Sequence, residues 1–170
     1  GRDSVARLLR SAHADEPERP QACRIDLRLR ELMPMLAPML RADIEPRLEI
    51  EPGLWPVLAI GTAFDDVVLN LAANARDALP QSGHLLIRAA NRPGVPDQVA
   101  VEVIDDGTGM DEATLARAVE PFFTTKPLGS GTGLGLTGAH AFAQRSGGSL
   151  TIESRPGAGT TVRLLLPRAV

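Results

Sequence analysis

Two adjacent carboxylates and a glycine turn follow directly on an apolar run, and this junction constrains the chain more than any other stretch. Residues 99–104, Val-Ala-Val-Glu-Val-Ile, have the composition of a strand, and residues 105–110 read Asp-Asp-Gly-Thr-Gly-Met. Ligand-binding groups in open α/β folds often lie at strand ends and in the loops that follow. A carboxylate there accepts a hydrogen bond from an amino group, and glycines let a planar ligand approach the backbone. An ordinary acidic turn between strands is the alternative.

Composition indicates one soluble globular domain. The chain has 170 residues, of which 44% are hydrophobic, and a formal net charge of -3. The chain has no broad excess of basic residues, so its composition does not indicate a nucleic-acid-binding surface. No apolar run approaches the roughly 18 residues of a membrane-spanning helix. Cys23 is the only cysteine, so neither an intrachain disulfide nor a cysteine-based metal site can form.

Hydrophobic periodicity predicts the remaining elements. Alternation over residues 23–29 predicts a strand, and residues 31–41 have helical spacing that Pro34 and Pro38 oppose. Residues 1–20 predict the end of a preceding helix and a Pro-bounded linker, with a frayed terminus as the alternative. The other predicted strands are 48–51, 84–91, 98–104, 149–154 and 160–166, and the other predicted helices are 62–79, 111–119 and 134–146.

The helix predicted over residues 62–79 carries a polar stripe beside its apolar face. Asp66, Asn70, Asn74 and Asp77 recur at spacings of four, four and three, which places them on one side. Asn is a mediocre helix former, so two amides one turn apart need an explanation. They offer neutral oxygen ligands to a hard cation such as Mg²⁺. Alternatively, both amides form hydrogen bonds within the fold.

A glycine-rich stretch, residues 129–136, leads into the helix predicted over 134–146. Free backbone N–H groups and the positive end of a helix dipole make such a junction a phosphate cradle. Residues 122–126, Phe-Phe-Thr-Thr-Lys, precede it, and two aromatic anchors followed by a polar tip favour a lid. A flexible linker is the alternative. The stretch is not a Walker loop, because no Gly-Lys-Ser/Thr follows.

Taken in order, these stretches resemble the catalytic, ATP-binding domain of bacterial sensor histidine kinases. Residues 70–78 resemble its N box, 105–110 its first glycine box, 121–126 its F box, 129–136 its second glycine box and 156–160 its last glycine turn. The resemblance covers residues 21–168. One departure is Asp106, where the family often has Asn. Another is that neither His13, His84 nor His140 lies in a phosphoacceptor stretch of the family's His-Glu type.

The resemblance implies an α/β sandwich with a mixed, mostly antiparallel five-stranded sheet, three main helices on one face and an ATP lid. Residues 1–20 would end an acceptor-domain helix and its linker, and residues 21–170 would form the catalytic domain. The implied reaction transfers the γ-phosphate of ATP, with Mg²⁺, to a histidine on a dimerisation and acceptor domain, for relay to a response regulator receiver domain. The implied full-length protein is a homodimer that works in the cytoplasm, with membrane anchoring left open; neither nucleic acid nor membrane contact is expected from these residues.

The resemblance also assigns site residues. Asp105 would accept from the adenine amine, Gly109 would let the ring lie close, Asn74 would hold Mg²⁺ with Asn70 nearby, and Lys126 would reach the γ-phosphate. Asn74 and Lys126 are the predicted catalytic residues. The predicted nucleotide-binding residues are Asn70, Asn74, Asp77, Asp105, Gly107, Gly109, Met110, Phe123, Thr124, Thr125, Lys126, Gly131, Thr132, Gly133, Leu134, Gly135 and Leu136.

Two other functions stay open at this point. The gyrase, mismatch-repair and heat-shock chaperone ATPases share the Asn helix and the Asp-x-Gly-x-Gly turn, although the Phe-Phe-Thr-Thr-Lys stretch with the second glycine box favours the kinase. A degenerate module that docks a response regulator without using ATP is the other alternative, and the intact motifs oppose it.

Overall fold

A five-stranded sheet covered by helices on one face forms the body of the protein. The computed structural model describes residues 19–79, 82–118 and 135–170. Within these ranges the elements are, in chain order, β1 (Gln21–Cys23), α1 (Ile25–Met39), β2 (Ile44–Ile50), β3 (Val57–Ala59), α2 (Gly61–Ala78), β4 (Gly83–Arg92), β5 (Gln98–Asp105), α3 (Glu112–Arg117), α4 (Gly135–Arg145), β6 (Ser149–Ser154) and β7 (Thr160–Pro167).

The large sheet has the strand order β2-β4-β5-β7-β6. Strand β2 pairs with β4 in parallel, and the other three pairings are antiparallel. The predicted mixed, mostly antiparallel sheet of five strands is therefore confirmed. β5 lies in the middle, so the residues after its last position, Asp105, emerge between the flanking strands β4 and β7.

The core lies between this sheet and the three longer helices, α1, α2 and α4. Alternate residues of each strand face the helices, which gives the buried apolar positions Ile87, Val101 and Leu164. Phe64 of α2 and Phe142 of α4 meet at a ring-centroid distance of 6.3 Å, so the two helices share one aromatic contact. The predicted three main helices on one face are confirmed.

The strand predicted over residues 23–29 is wrong, because α1 already begins at Ile25. Ile25, Leu29, Leu32 and Leu36 are buried at helical spacing, whereas Leu27, which alternation placed inside, is 46% exposed. The apolar residues of this short window fit both the two-residue period of a strand and the 3.6-residue period of a helix. The helix forms because it continues the buried face through Leu32 and Leu36. Pro34 and Pro38 lie inside the helix on its exposed side, where water can satisfy the carbonyls that lose an N–H partner.

A small sheet of two strands was not predicted. β1 and β3 pair antiparallel, with Cys23 opposite Val57, and each has only three residues. Strands this short carry no readable alternation. Predictions for residues 1–18 and 119–134 lie outside the described ranges. Over residues 19–79, 82–118 and 135–170, none of the helices combines the length and the apolar composition that a membrane span requires.

The face of the sheet opposite the helices carries a charged row across three strands. Glu102 of β5 is paired in register with Arg88 of β4 and Arg163 of β7, and its side chain is only 5% exposed. Its two oxygens accept from Arg88 at 3.2 Å and from Arg163 at 2.9 Å. Burial by itself raises the pKa of the Glu102 carboxyl, but the guanidinium groups of Arg163 and Arg88 outweigh it and hold that pKa below its usual value.

This row predicts a pH dependence of folding stability. A lowered carboxyl pKa stabilises the fold above the unfolded value of about 4.3, and the contribution is lost as the pH falls through the lower folded pKa. We expect Glu102→Gln to reduce stability at neutral pH by about 1–3 kcal/mol and to lose less stability than the wild type below about pH 5. Urea unfolding from pH 7 to pH 3 measures both effects.

Glu153 supplies the matched control, since it also contacts Arg163, at 3.2 Å, but is 69% exposed. Glu153→Gln should change stability by less than about 1 kcal/mol, with little change in the pH profile. Equal effects of the two substitutions would show that burial of the Glu102 carboxyl has no energetic consequence.

Candidate functional site

Asp105 ends β5 as a buried carboxylate. Its exposed fraction is 9%, and its Oδ1 accepts a hydrogen bond from the Gly107 backbone N–H at 2.9 Å. Burial raises the pKa of the Asp105 carboxyl; backbone N–H groups of Gly107 and Thr160 act against that rise, and the neighbouring Asp106 charge adds to it. A buried carboxylate of this kind is stabilised by a further donor, so the strand end is suited to an amino group of a ligand.

The glycines after Asp105 are required by contacts within the protein. A Cβ on Gly107 would lie 2.4 Å from the Ala78 carbonyl oxygen, and one on Gly109 would lie 1.9 Å from the Arg155 carbonyl oxygen. Gly109 also has a φ of +69°. Close approach of a ligand was the reason predicted for these glycines; in the structure, the space of each missing Cβ also faces backbone of this chain.

Backbone and side-chain hydrogen bonds hold the loop that follows β5, residues 106–110 (the Asp105 loop), on two sides. The Thr108 N–H donates to the Ala78 carbonyl at 3.0 Å, and the Gly157 N–H donates to the Thr108 carbonyl at 2.7 Å. The Met110 N–H donates to Ser154 Oγ at 2.8 Å. The loop is therefore fixed between the C-terminal end of α2 and the turn that joins β6 to β7.

Asp106 turns toward β4. Its Oδ1 accepts from the His84 backbone N–H at 2.8 Å, and its Oδ2 lies 2.8 Å from His84 Nδ1. The backbone and ring hydrogen bonds from His84 lower the pKa of the Asp106 carboxyl. The structure therefore gives His84 a structural partner in Asp106.

The polar stripe of α2 runs toward this loop. Asn70 and Asp77 are exposed and Asn74 is half-buried, and the helix ends one residue after Asp77. Asp77 Oδ1 accepts from Arg76 Nε at 3.1 Å. The Ala78 carbonyl oxygen accepts the hydrogen bond from the Thr108 N–H. The C-terminal end of α2, the helix that carries Asn70 and Asn74, is therefore bonded directly to the Asp105 loop.

The second glycine stretch is described only where it enters α4. Gly135 begins that helix, and Leu136 is half-buried against the core. The remaining predicted lid residues lie outside the described ranges: Phe123, Thr124, Thr125, Lys126, Gly131, Thr132, Gly133 and Leu134.

Some residues of the site were missed by sequence reasoning. Ser154 bonds the loop from β6, and Thr160 is paired with Asp105 across β5 and β7. The last glycine turn, residues 156–160, was the available signal, since it resembles a family motif. Ser154 itself gave none, because a serine at a strand end is common in any sheet.

The sequence is similar to that of a known family of ATPases and to sensor histidine kinases. A profile of the family described as histidine kinase-, DNA gyrase B- and HSP90-like ATPases matches residues 60–170. The chain belongs to this ATPase family. The resemblance to sensor histidine kinases is also confirmed, since the sensor kinase CckA of Brucella abortus is 36% identical over 98% of this chain. That match covers 19% of CckA, and the chain spans 12% to 25% of the length of eight curated relatives that it matches.

Solved structures share the fold of this ATPase domain. The mycobacterial sensor histidine kinase MprB superposes with a TM-score of 0.75 at 23% identity, over 88% of this chain and 97% of MprB. ShkA, solved full-length in complex with AMPPNP, superposes with a TM-score of 0.76 at 24% identity, over 89% of this chain and 32% of ShkA. At these identities the two likenesses establish the fold.

Proposed function

We propose that this ATPase-family domain is the ATP-binding catalytic domain of a two-component sensor histidine kinase. It would transfer the γ-phosphoryl group of ATP to a histidine on a dimerisation and acceptor domain, for relay to a response regulator. The observation that carries the proposal is the buried Asp105 carboxylate, held in a fixed loop that is bonded to the end of the Asn helix. Phosphoryl transfer depends mainly on positioning and electrostatic stabilisation, which a rigid base-binding loop supports.

The residue roles follow from this geometry together with the family resemblance. The Asp105 carboxylate would accept a hydrogen bond from the exocyclic amine of adenine. This bond would supply the further donor that stabilises a buried carboxylate. Asn70 and Asp77 would line the α2 side of the nucleotide, and Met110 the side of the fixed loop. Gly131, Gly133 and Gly135 would wrap the phosphates, as glycine stretches at helix N-termini do, and Lys126 would reach the γ-phosphate.

The described residues fit Mg²⁺ held together with the nucleotide. They contain no cluster of three or more His, Cys, Asp or Glu side chains. Mg²⁺ keeps several waters and is usually bound through one or two protein ligands plus substrate phosphates. The half-buried Asn74 amide is a suitable single ligand, and the ion, when bound, supplies neutralisation of phosphate charge.

The proposed partners are the dimerisation and phosphoacceptor domain of the same protein and a response regulator receiver domain. The full-length protein would act as a homodimer, and this domain would work in the cytoplasm, where ATP and the response regulator are present. Residues 1–20 would connect it to the acceptor domain.

Titration with AMPPNP, with and without Mg²⁺, tests the proposal against a docking module that ignores nucleotide. We expect micromolar-range binding that strengthens with Mg²⁺, whereas absence of binding would favour the degenerate module. Phosphate transfer to a supplied acceptor domain then separates a kinase from the gyrase-like and chaperone-like ATPases, which hydrolyse ATP without forming phosphohistidine.

The Asp105 role predicts a defined loss of affinity. Asp105→Asn keeps an oxygen for the Gly107 N–H, so the fold should survive, but it removes a charge-assisted bond to the base worth about 1.5–3 kcal/mol. We expect AMPPNP to bind about 10- to 150-fold more weakly by calorimetry. Asp106→Asn makes the same chemical change one residue later, on a carboxylate that bonds His84, and should bind nearly as the wild type. Wild-type affinity in Asp105→Asn would rule out the adenine contact.

A further inference from the structure

Three side chains form a row at the end of the sheet, next to the proposed base-binding loop. Asp105 of β5 is paired with Thr160 of β7, and Thr160 is paired with Ser154 of β6. Residues paired in register project to the same face of a sheet, with Cβ atoms about 4.5–5.5 Å apart. The row therefore runs from the buried carboxylate to a serine hydroxyl two strands away.

The Ser154 hydroxyl uses its full hydrogen-bonding capacity. It accepts from the Met110 N–H at 2.8 Å, donates to the Gly159 carbonyl at 3.0 Å, and lies 2.8 Å from Thr160 Oγ1. A hydroxyl has one proton and two acceptor positions. Because its proton goes to Gly159, the Thr160 hydroxyl must donate to Ser154, and all three capacities are then filled.

We propose that Ser154 is a positioning residue of the nucleotide site, which holds the Asp105 loop in its binding conformation through the Met110 N–H and orients the Thr160 hydroxyl beside it. The inference rests on the proposed function, since it concerns the same nucleotide. Ser154 acts through the loop: it joins the last loop residue, Met110, to the turn before β7.

The physical consequence is a pre-formed loop. Gly107 and Gly109 offer little backbone restraint of their own, because glycine loses more conformational freedom on ordering than other residues. If the loop adopts its binding conformation only part of the time, apparent affinity falls by that fraction. A side-chain hydrogen bond from Ser154 of β6, two strands away, raises the fraction of molecules with the loop in its binding conformation before nucleotide arrives.

Three variants of the whole chain test this. Ser154→Ala removes the hydroxyl, Ser154→Thr keeps it, and Ser149→Ala makes the same deletion at the exposed start of the same strand. Calorimetry with AMPPNP and Mg²⁺ is run well below the melting temperature of each variant, so that global stability does not affect the dissociation constant. We expect Ser154→Ala to bind about fivefold more weakly, with Ser154→Thr and Ser149→Ala close to the wild type.

Amide hydrogen exchange supplies a second readout, which begins with the wild type alone. The Met110 amide should be protected in the nucleotide-free wild type, and it should exchange faster in Ser154→Ala. Three results would each overturn the inference: a folded Ser154→Ala that binds AMPPNP with wild-type affinity, a Ser149→Ala whose affinity falls equally, or a Ser154→Thr whose affinity is not restored. Should Ser154→Ala fail to fold, an unprotected Met110 amide in the wild type would overturn it. A wild type that binds no AMPPNP while Met110 stays protected would instead refute the proposed function.

Discussion

Asn74→Ala is expected to leave the domain folded and to abolish phosphoryl transfer. Mg²⁺ demands near-octahedral oxygen coordination, so with few protein ligands the loss of one amide removes a large share of the protein's hold on the metal. Folding should suffer little, because Asn74 is only half-buried and alanine is the better helix former by up to about 0.7 kcal/mol. We expect a near-normal melting temperature without nucleotide, a reduced thermal shift with Mg-ATP and no detectable transfer to a supplied acceptor domain.

Asp66→Ala is the matched control for this variant. Asp66 is exposed on the same stripe of α2, two turns before Asn74, and has no assigned role in the site. It should retain both the thermal shift and transfer. Global unfolding of Asn74→Ala would show that the amide is a structural group, and transfer at the wild-type rate would place Mg²⁺ elsewhere.

Long periodic elements could be predicted from the sequence, and local ambiguities could not. The apolar face of α2 and the alternation of β7 run over enough residues to exclude the other period, and β5 could be predicted from its strand-like composition. The stretch around Ile25 and Leu29 is short, and its alternating charges obscured a helical pattern that continues through the two prolines. The parallel pairing of β2 with β4 depends on which elements pack together, so it has no local signal.

The site shows the same division. Asp105 could be predicted because an acidic residue at the end of an apolar strand is visible in the sequence. The partner of Asp106 could not be, since His84 lies 22 residues away and meets it only through the pairing of neighbouring strands. The need for glycine was predicted from the approach of a ligand; the structure adds a second cause that has no local signal, because the Arg155 carbonyl reaches Gly109 from a turn far along the chain.

The Arg155 contact carries the second large prediction, for Gly109→Ala. Gly109 has a φ of +69°, which costs an L-residue about 1–2 kcal/mol, and its Cβ would lie 1.9 Å from the Arg155 carbonyl oxygen. A backbone atom cannot move aside as a flexible side chain does, so the loop must shift, at a further cost of about 1–3 kcal/mol. The shift also displaces the chain next to Asp105, so we expect AMPPNP binding to be lost.

Gly157→Ala separates the two costs, because Gly157 has nearly the same φ, +76°, and nothing within 4 Å of an added Cβ. Only the backbone strain applies there, so urea unfolding should show a loss of about 1–2 kcal/mol for Gly157→Ala against about 2–5 kcal/mol for Gly109→Ala. Nucleotide binding should persist in Gly157→Ala. Equal destabilisation in the two variants would mean that the loop yields to the added methyl group without cost, and that the turn between β6 and β7 does not fix the position of the Asp105 loop.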